Sequence, residues 1–355
     1  MKKKILISTG GSGGHVIPAI ILYEHLSKKC DVIISTDIRG LKFLDKNDYQ
    51  IEIVNTPKLN NFLFLPLNLL SIMFMTLKSF FLLKKKKIEK VISIGGYMSI
   101  PIIIGAKILG LTILLLEPNL VLGRGNRFFL NFSKKIFCYS NKISNFPKKD
   151  FHKIELIKPL VSKAFYELEK TKDINNKFCF LISGGSQGAQ IFDELIKDIM
   201  IDISKTFSIK VIQQTSAENV EKLKNFYNSK NIENKIFNFE EKFINLINMS
   251  DLCITRAGAT SLAEISILNK PFIAIPLPSA KDNHQMKNAQ FYEEMGCCWV
   301  LDQRNLKKEK LSNIILNILK DKSDLIDKKS NLEKLNFENS WNDVNQKLQK
   351  IINEN

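Results

Sequence analysis

The fold of this chain is decided by residues 4–15, which read KILISTGGSGGH. A buried-strand pattern runs directly into a glycine-rich turn, and an apolar helical pattern follows over residues 16–26. The same order recurs later, because residues 178–183 predict a strand, residues 184–188 a glycine turn, and a helix follows. This repeat indicates two doubly wound α/β domains in tandem.

Two Rossmann-like domains facing each other across a cleft are therefore expected, and the fold class is α/β. Residues 1–160 form the predicted N-terminal domain and residues 161–339 the C-terminal domain, with a Lys-rich linker candidate at 158–177. In such sheets ligands bind at the carboxyl ends of the strands. The two glycine turns therefore mark the predicted active site.

The composition is that of a globular protein, with 355 residues, 45% hydrophobic and 25% charged. The net charge of +16 favours anionic partners such as nucleic acid, anionic lipid or phosphorylated substrates, although a solvated Lys-rich surface without a partner explains it equally well. The six cysteines lack CxxC or metal-ligand spacing, and Cys138, Cys179 and Cys253 lie in apolar runs. A reducing cytoplasm is the simplest compartment.

The glycine turns predict phosphate or sugar binding, because glycine lets the backbone approach a phosphate and the next helix offers free N–H groups. Glycine needed only for tight packing is the plainer alternative. A nicotinamide or flavin protein is the rival, since Gly11-Ser12-Gly13 resembles a dinucleotide loop and Asp37 ends the second strand. Against it, Val16 stands where the third fingerprint glycine belongs.

The segment from Arg256 to Ile265 admits two interpretations. Ser261 and Glu264 have the spacing of a capping box, in which the serine caps a helix and the glutamate reaches back to it. Alternatively, the backbone of residues 258–261 donates to a phosphate at the helix start, and Glu264 accepts two ribose hydroxyls.

Residues 62–83 are strongly apolar and are followed by four lysines. A transmembrane helix and a buried core helix are both possible. An interfacial patch is favoured, in which apolar side chains enter the bilayer and lysines meet anionic headgroups. The predicted patch comprises Phe74, Leu77, Phe80, Phe81, Lys84 and Lys85.

Several motifs, in order from about residue 4 to residue 303, resemble the MurG family of N-acetylglucosaminyltransferases. These motifs are GGSGGHVIP at 10–18, GGYMSIP at 95–101, Glu117-Pro118-Asn119 followed by Asn126-Arg127, GGSQGA at 184–189, RAGATSLAE at 256–264, and PLP at 276–278 followed by DNHQ at 282–285. The full ordered series is far more specific than any one motif.

The resemblance implies a GT-B fold and inverting transfer of GlcNAc from UDP-N-acetylglucosamine (UDP-GlcNAc). The implied acceptor is the C4 hydroxyl of MurNAc in undecaprenyl-pyrophosphoryl-MurNAc-pentapeptide (lipid I), giving lipid II for peptidoglycan. It also implies that the N-terminal domain binds acceptor and membrane, that the C-terminal domain binds UDP-GlcNAc, and that a helix at about 340–355 packs back on the N-terminal domain.

The resemblance also supplies site residues. His15 is the candidate general base, because imidazole titrates near neutral pH and an inverting transfer needs one base; hydrogen bonding within the turn is the alternative. The acceptor pocket is expected to include Tyr97, Asn119 and Asn126, whereas Glu117 either lines this pocket or is structural. The expected UDP-GlcNAc-binding residues are Ser12, Gly13, Gly14, Asn119, Ser186, Phe239, Glu240, Arg256, Ala259, Thr260, Ser261, Leu262, Ala263, Glu264, His284 and Gln285.

No cofactor or metal is expected, since helix N-termini and serine hydroxyls can stabilise the leaving UDP and no Asp-x-Asp motif occurs. The expected location is peripheral, on the cytoplasmic face of the inner membrane with its anionic lipids, and no nucleic-acid partner is expected. One departure concerns the donor. The family has an arginine at the junction between the domains, near the donor diphosphate, and Val161 replaces it here. Lys158 or Lys163 could supply a charge, but an ammonium does not offer the forked donor pair of a guanidinium. Gln190 and Asp193 also replace the family's Arg and Asn.

Overall fold

The computed structural model describes residues 2–57, 65–168, 177–185 and 190–354. The chain forms two compact units. The first contains Met1–Lys163 together with Asn339–Asn355, and the second contains Ala164–Glu338. The sequence-based boundary at 160 lies close to this division.

The first unit is built on a seven-stranded parallel sheet with the order β3-β2-β1-β4-β5-β6-β7. Its strands are β1 (Lys4–Ser8), β2 (Asp31–Thr36), β3 (Ile51–Ile53), β4 (Lys90–Ser93), β5 (Thr112–Glu117), β6 (Lys135–Cys138) and β7 (Ile154–Leu156). The central strands β1 and β4 are almost entirely buried, as a sheet covered on both faces requires. Because the chain order reverses between β1 and β4, the loops after these two strands lie side by side.

Helices cover this sheet. They are α1 (Gly13–Leu26), α2 (Ile38–Leu41), α3 (Leu65–Lys85), α4 (Ile100–Ile108) and α5 (Arg124–Phe129), and α6 (Lys163–Glu167) lies at the junction of the units. The core between sheet and helices joins strand residues such as Leu6 and Val91 to Ile102 and Ile103 of α4. The first helix begins at Gly13, three residues earlier than its apolar pattern indicates, so the glycine turn itself supplies its first turn.

The second unit repeats the plan with a six-stranded parallel sheet of order β10-β9-β8-β11-β12-β13. Its strands are β8 (Phe178–Ser183), β9 (Ile209–Gln214), β10 (Glu233–Phe237), β11 (Leu252–Thr255), β12 (Phe272–Ala274) and β13 (Cys298–Val300). Its helices are α7 (Gln190–Ser204), α8 (Val220–Asn228), α9 (Phe243–Met249), α10 (Ala259–Ile267), α11 (His284–Glu294), α12 (Lys308–Lys320) and α13 (Ser323–Leu335). The order reverses between β8 and β11, so the loops after these strands are neighbours.

The last helix, α14 (Trp341–Asn353), belongs to the first unit although it follows the second in sequence. Trp341 stacks on His25 of α1, with the ring centroids 3.6 Å apart, and the Lys90 ammonium donates to the Glu354 carbonyl at 3.0 Å. Burial lowers the pKa of His25 to about 4, so this stack contains a neutral imidazole at physiological pH.

The helix α3 packs on α4 along a narrow stripe. The stripe contains Ile72, Ser79 and Leu83, and an added Cβ at Gly105 of α4 would lie only 3.1 Å from the Phe80 nitrogen. Pro66–Lys85 is long and apolar enough to cross a membrane by length and composition, yet only 17% of its most apolar window is buried. A buried core helix, one of the alternatives from the sequence, is therefore wrong.

All six cysteines are buried and free. The expectation that Cys138, Cys179 and Cys253 are core residues is confirmed, since each is 0% exposed.

Candidate active site

The first glycine loop joins β1 to α1. Gly10 and Gly11 have φ of +149° and +83°, a backbone region that side chains disfavour. Ser12 is the N-cap residue of α1 but makes no side-chain hydrogen bond to the helix, so the N–H groups of Gly13 and Gly14 lack an intrahelical acceptor. Gly13 is buried, whereas Ser12 and Gly14 are exposed, so any ligand contact from this loop comes from its backbone and the Ser12 hydroxyl.

The second glycine loop follows β4 and lies beside the first. Gly95 and Gly96 have φ of +91° and +83°. An added Cβ at Gly96 would overlap the Met98 sulfur and would lie 3.9 Å from His15 Nε2. The half-buried imidazole of His15 therefore stands at the edge where both loops meet, and the Thr9 hydroxyl holds its carbonyl at 2.8 Å.

Glu117, at the end of β5, organises the third segment of this edge. Its carboxylate accepts hydrogen bonds from the Asn119 backbone and side chain at 3.1 and 3.2 Å, from the Gly123 backbone at 2.7 Å and from Asn126 Nδ2 at 3.0 Å. Burial raises the pKa of Glu117, and these donors oppose the rise. The carboxylate is 2% exposed and fully engaged within the protein, so its place is structural.

Of the two asparagines predicted for the acceptor pocket, Asn119 is half-buried and Asn126 is 2% exposed. Asn126 Nδ2 donates to Glu117 and to the Leu116 carbonyl at 2.9 Å. Asn126 Oδ1 would lie 3.1 Å from a Cβ at Gly95, so this side chain packs directly against the second glycine loop. The place of Asn126 in the acceptor pocket stays a prediction.

Asp37 is the carboxylate that a dinucleotide site would use to bind the ribose. In this structure it already accepts hydrogen bonds from the protein itself. Its Oδ1 accepts from the backbone N–H of Gly11 at 2.8 Å and of Gly40 at 2.9 Å, and its Oδ2 accepts from Arg39 Nε at 2.8 Å. With the side chain 5% exposed, no carboxylate remains at the end of β2 for a ribose. This explains in physical terms why the first loop is not a dinucleotide site.

In the second unit the glycine turn follows β8. The Ser183 hydroxyl donates to Gln214 Oε1 at 2.9 Å, and the Gly185 N–H donates to that hydroxyl at 3.3 Å. Ser186, predicted to hold the diphosphate, lies outside the described residues. Gln214 ends the neighbouring strand β9, and no local sequence pattern predicts its part in shaping this turn.

The predicted capping box at Ser261 and Glu264 is wrong. The helix α10 begins at Ala259, its N-cap is Gly258, and Ser261 already lies inside the first turn. With no side-chain cap, the N–H groups of Ala259, Thr260 and Ser261 lack intrahelical acceptors. This is the arrangement expected of an anion site, and it lies at the reversal of the strand order.

The carboxyl of Glu264 lies one turn further along α10. Desolvation by the surrounding protein raises its pKa to about 7, so it titrates in the physiological range. Leu262 and Ala263 are buried in the core, so only their backbone can contact a ligand.

Arg256 is fixed beneath this helix. Its Nη1 donates to the carbonyls of Ile275 at 2.9 Å and Pro276 at 3.4 Å, and its guanidinium lies 4.9 Å from the Phe192 ring centroid. The residue is 6% exposed, and burial lowers its pKa. Within the described residues its Nε has no hydrogen-bond partner. Its predicted UDP contact remains a prediction.

The remaining predicted donor residues lie around the same edge of the second sheet. Gln285 Oε1 accepts from the backbone N–H of Ala257 at 3.2 Å and of Leu277 at 2.9 Å, tying the loops after β11 and β12 together. His284 Nδ1 is 2.8 Å from the Lys281 carbonyl. Phe239 is 78% exposed.

The structure also shows the surroundings of Glu240 and of the residues that depart from the family pattern. Glu240 pairs with Lys235 at 2.6 Å, and the hydrogen bond from that lysine lowers the pKa of the carboxyl. Val161 is 1% exposed, so this position is part of the core. Gln190 is exposed, and Asp193 accepts hydrogen bonds from Gln213 Nε2, the Thr215 hydroxyl and Asn219 Nδ2.

Within the described residues, no group of three or more His, Cys, Asp or Glu side chains could hold a metal ion.

Comparison with known proteins shows the family of this chain. The sequence model of the glycosyltransferase family 28 N-terminal domain matches residues 5–138, and that of the family 28 C-terminal domain matches residues 179–344. A crystal structure of Acinetobacter baumannii MurG superposes with a TM-score of 0.79 at 21% identity, covering 99% of both chains. The fold is therefore GT-B, and these matches define a glycosyltransferase of family 28.

Relatives that match over nearly their whole length narrow the assignment within glycosyltransferase family 28. A UDP-N-acetylglucosamine–N-acetylmuramyl-(pentapeptide) pyrophosphoryl-undecaprenol N-acetylglucosamine transferase of Pelagibacter ubique (strain HTCC1062) is 48% identical over 100% of both chains. The enzyme of the same name from Rickettsia prowazekii (strain Madrid E) is 34% identical, covering 93% of this chain and 94% of its own. The chain belongs to the MurG family of N-acetylglucosaminyltransferases.

Proposed function

We propose that this enzyme transfers GlcNAc from UDP-GlcNAc to the C4 hydroxyl of MurNAc in undecaprenyl-pyrophosphoryl-MurNAc-pentapeptide, with inversion at the anomeric carbon. The observation that carries the proposal is the 48% identity over the whole length of a relative named for this reaction. The geometry supports it, because uncapped helix starts follow strands β1 and β11, where charged phosphates are best held.

On the donor side, the start of α10 would hold the diphosphate and Glu264 would accept the ribose hydroxyls. The exposed ring of Phe239 and the backbone after it would contact the uracil, and Gln285 Nε2 would donate to a GlcNAc hydroxyl. The transition state for departure of UDP develops negative charge on its β-phosphate. The N–H groups at the helix start would stabilise that charge without a metal ion.

On the acceptor side, His15 would accept the proton of the MurNAc hydroxyl as it attacks the anomeric carbon. The position of its imidazole between the two glycine loops supports this assignment. Tyr97 and Asn119, on the same edge of the sheet, would orient the sugar.

The test is transfer of radiolabel from UDP-GlcNAc to a lipid I analogue, measured in the lipid fraction with and without EDTA. We expect transfer that survives EDTA. Binding of UDP without transfer would show that the acceptor is assigned wrongly, whereas absence of UDP binding would remove the donor assignment itself. Transfer lost in EDTA and restored by a divalent cation would contradict the metal-free mechanism.

We further propose that the enzyme binds the cytoplasmic face of the membrane through α3 and does not span it. The close packing of Gly105 against Phe80 holds one side of α3 on α4. The other side exposes a row of large apolar side chains, each more than half exposed. They are Leu67, Leu69, Leu70, Met73, Phe74, Leu77 and Phe81.

Lysines border this apolar row. Lys84 and Lys85, in the last turn of α3, are exposed, and the Lys78 ammonium lies 4.5 Å from the Phe74 ring centroid. Lysines at the edge of an apolar surface suit anionic headgroups, each contributing about 1 kcal/mol near the membrane surface. The enzyme would then reach the sugar of a lipid-linked acceptor while the lipid part of that acceptor stays in the bilayer.

Replacing Phe74, Leu77 and Phe81 by serine is expected to weaken binding to phosphatidylglycerol-containing vesicles by about 100-fold. Each replacement removes about 1 kcal/mol of membrane-binding free energy. This is a conservative share of the free energy of transferring the whole side chain from water into the bilayer. Vesicle sedimentation measures the effect. Because the three side chains are exposed, thermal unfolding should be unchanged.

The matched control is Phe337→Ser, since Phe337 is 73% exposed in the second unit. Its vesicle binding should equal that of the unmodified enzyme. Equal loss in the control and the triple variant would show that α3 is not the contact surface.

A further inference from the structure

The feature that the proposed mechanism leaves unused is the pair Asp37–Arg39 after β2. The carboxylate of Asp37 is 5% exposed and binds the first glycine loop through the Gly11 N–H at 2.8 Å. Its other oxygen accepts Arg39 Nε at 2.8 Å and lies 2.7 Å from Arg39 Nη2. The guanidinium is thus held at the edge of the glycine loop, with two of its nitrogens on one carboxylate oxygen.

Arg39 continues this connection to the second glycine loop. Its Nη2 donates to the Tyr97 hydroxyl at 2.5 Å, and its guanidinium carbon lies 5.5 Å from the Tyr97 ring centroid. Tyr97 directly follows Gly96, whose φ is +83°, and begins a single 3₁₀ turn. A large ring on so short a turn after two glycines has few local constraints, so its orientation depends on Arg39.

The charges favour positioning over anion binding. Burial alone would raise the pKa of Asp37, but the hydrogen bonds from Gly11, Gly40 and Arg39 outweigh it and the pKa is lowered. The carboxylate therefore stays ionised and neutralises Arg39. A neutralised guanidinium that already uses Nε and Nη2 is better suited to holding a neighbouring side chain than to attracting a phosphate.

We propose that Asp37 and Arg39 form a positioning pair that sets the Tyr97 hydroxyl and the first glycine loop for the sugar of the lipid-linked acceptor. The proposal rests on the proposed function, because it assigns Tyr97 to the acceptor side. Arg39 acts through Tyr97 and is not itself a catalytic residue. Lysine cannot replace it, since one ammonium cannot keep both the two-nitrogen contact with Asp37 and the planar contact with Tyr97.

A double-mutant cycle tests this coupling. We expect Arg39→Lys and Tyr97→Phe each to lower kcat/KM for a lipid I analogue by about tenfold, the size expected for one charge-assisted hydrogen bond. The double variant should lose no more than either single variant, because both remove the same interaction. The KM for UDP-GlcNAc should be unchanged in all three.

The second unit offers a matched control in Arg304→Lys. Arg304 also pairs with an aspartate two positions before it, donating Nε to Asp302 Oδ1 at 3.0 Å and Nη2 to Asp302 Oδ2 at 2.6 Å. It lies on an exposed turn of the second unit and is not among the residues predicted for the site. The control should retain the activity of the unmodified enzyme, showing that loss of such a fork is harmless where it positions nothing.

Three outcomes would overturn the proposal. If the losses of the two single variants multiply in the double variant, the residues act independently. If Arg39→Lys raises the KM for UDP-GlcNAc as much as that for the acceptor, or only lowers Tm, its part is general stability. If the unmodified enzyme transfers no GlcNAc, the proposed function fails together with this one, whereas transfer with multiplying losses removes the positioning pair alone.

Discussion

Replacing His15 by glutamine is expected to lower kcat by about 10²- to 10⁴-fold, the usual contribution of a general base. Glutamine keeps a polar side chain of similar reach but cannot accept the proton of the attacking hydroxyl. Affinity for UDP-GlcNAc should change little, since His15 would act on the acceptor. Radiolabel transfer at saturating donor and acceptor measures the effect, with calorimetric UDP-GlcNAc titration beside it.

The control for this substitution is His152→Gln, because His152 lies exposed on a 3₁₀ turn of the same unit. It should be fully active. A His15→Gln enzyme within threefold of the unmodified rate would show that His15 serves the loop structure, as the hydrogen bond from Thr9 to its carbonyl would suggest. Thermal unfolding separates a catalytic loss from a folding defect.

Affinity for UDP-GlcNAc is expected to decrease as the pH falls through about 7, and Glu264→Gln is expected to remove this dependence. The pKa of Glu264 is raised to about 7, so acidification protonates the carboxyl that would accept the ribose hydroxyls. The variant should bind about 10- to 100-fold more weakly at pH 8, since a hydrogen bond to a charged group contributes about 1.5–3 kcal/mol. Both phosphates of UDP-GlcNAc are diesters, so the ligand does not titrate in this range.

Isothermal titration calorimetry from pH 6 to pH 8.5 makes the measurement, with Glu294→Gln on the exposed face of α11 as the matched control. The control should keep the affinity and pH dependence of the unmodified enzyme. Unchanged affinity in Glu264→Gln at pH 8 would remove Glu264 from the donor site.

The free energy of unfolding should decrease as the pH rises, whereas the affinity for UDP-GlcNAc should increase. A carboxyl whose folded-state pKa is raised contributes stability below its unfolded pKa, and this contribution is lost as the pH rises through about 7. Glu264→Gln should therefore raise Tm at pH 8 more than at pH 6. Such a residue reduces stability in the unliganded enzyme, which is typical of a group kept for function.

Much of the candidate site could be predicted from sequence because its motifs are local. The glycine loops, Glu117, and the segment from Arg256 to Glu264 all follow strands whose patterns are plain, and parallel topology brings strand ends to one edge. The spacing of Ser261 and Glu264 was misleading because Gly258, three residues earlier, is the N-cap of the helix. Local spacing alone does not settle where a helix begins.

The sequence by itself determined the two tandem α/β units, the family and the edge of each sheet where ligands are expected to bind, since these follow from strand and helix periodicity and from ordered motifs. Only the tertiary structure decided which side chains remain accessible there. It buries Asn126 and Arg256, occupies Asp37 with the first glycine loop, and leaves most of the α3 surface exposed. These outcomes depend on partners distant in sequence, such as Arg39 and Tyr97, 58 positions apart, whose meeting no local pattern encodes.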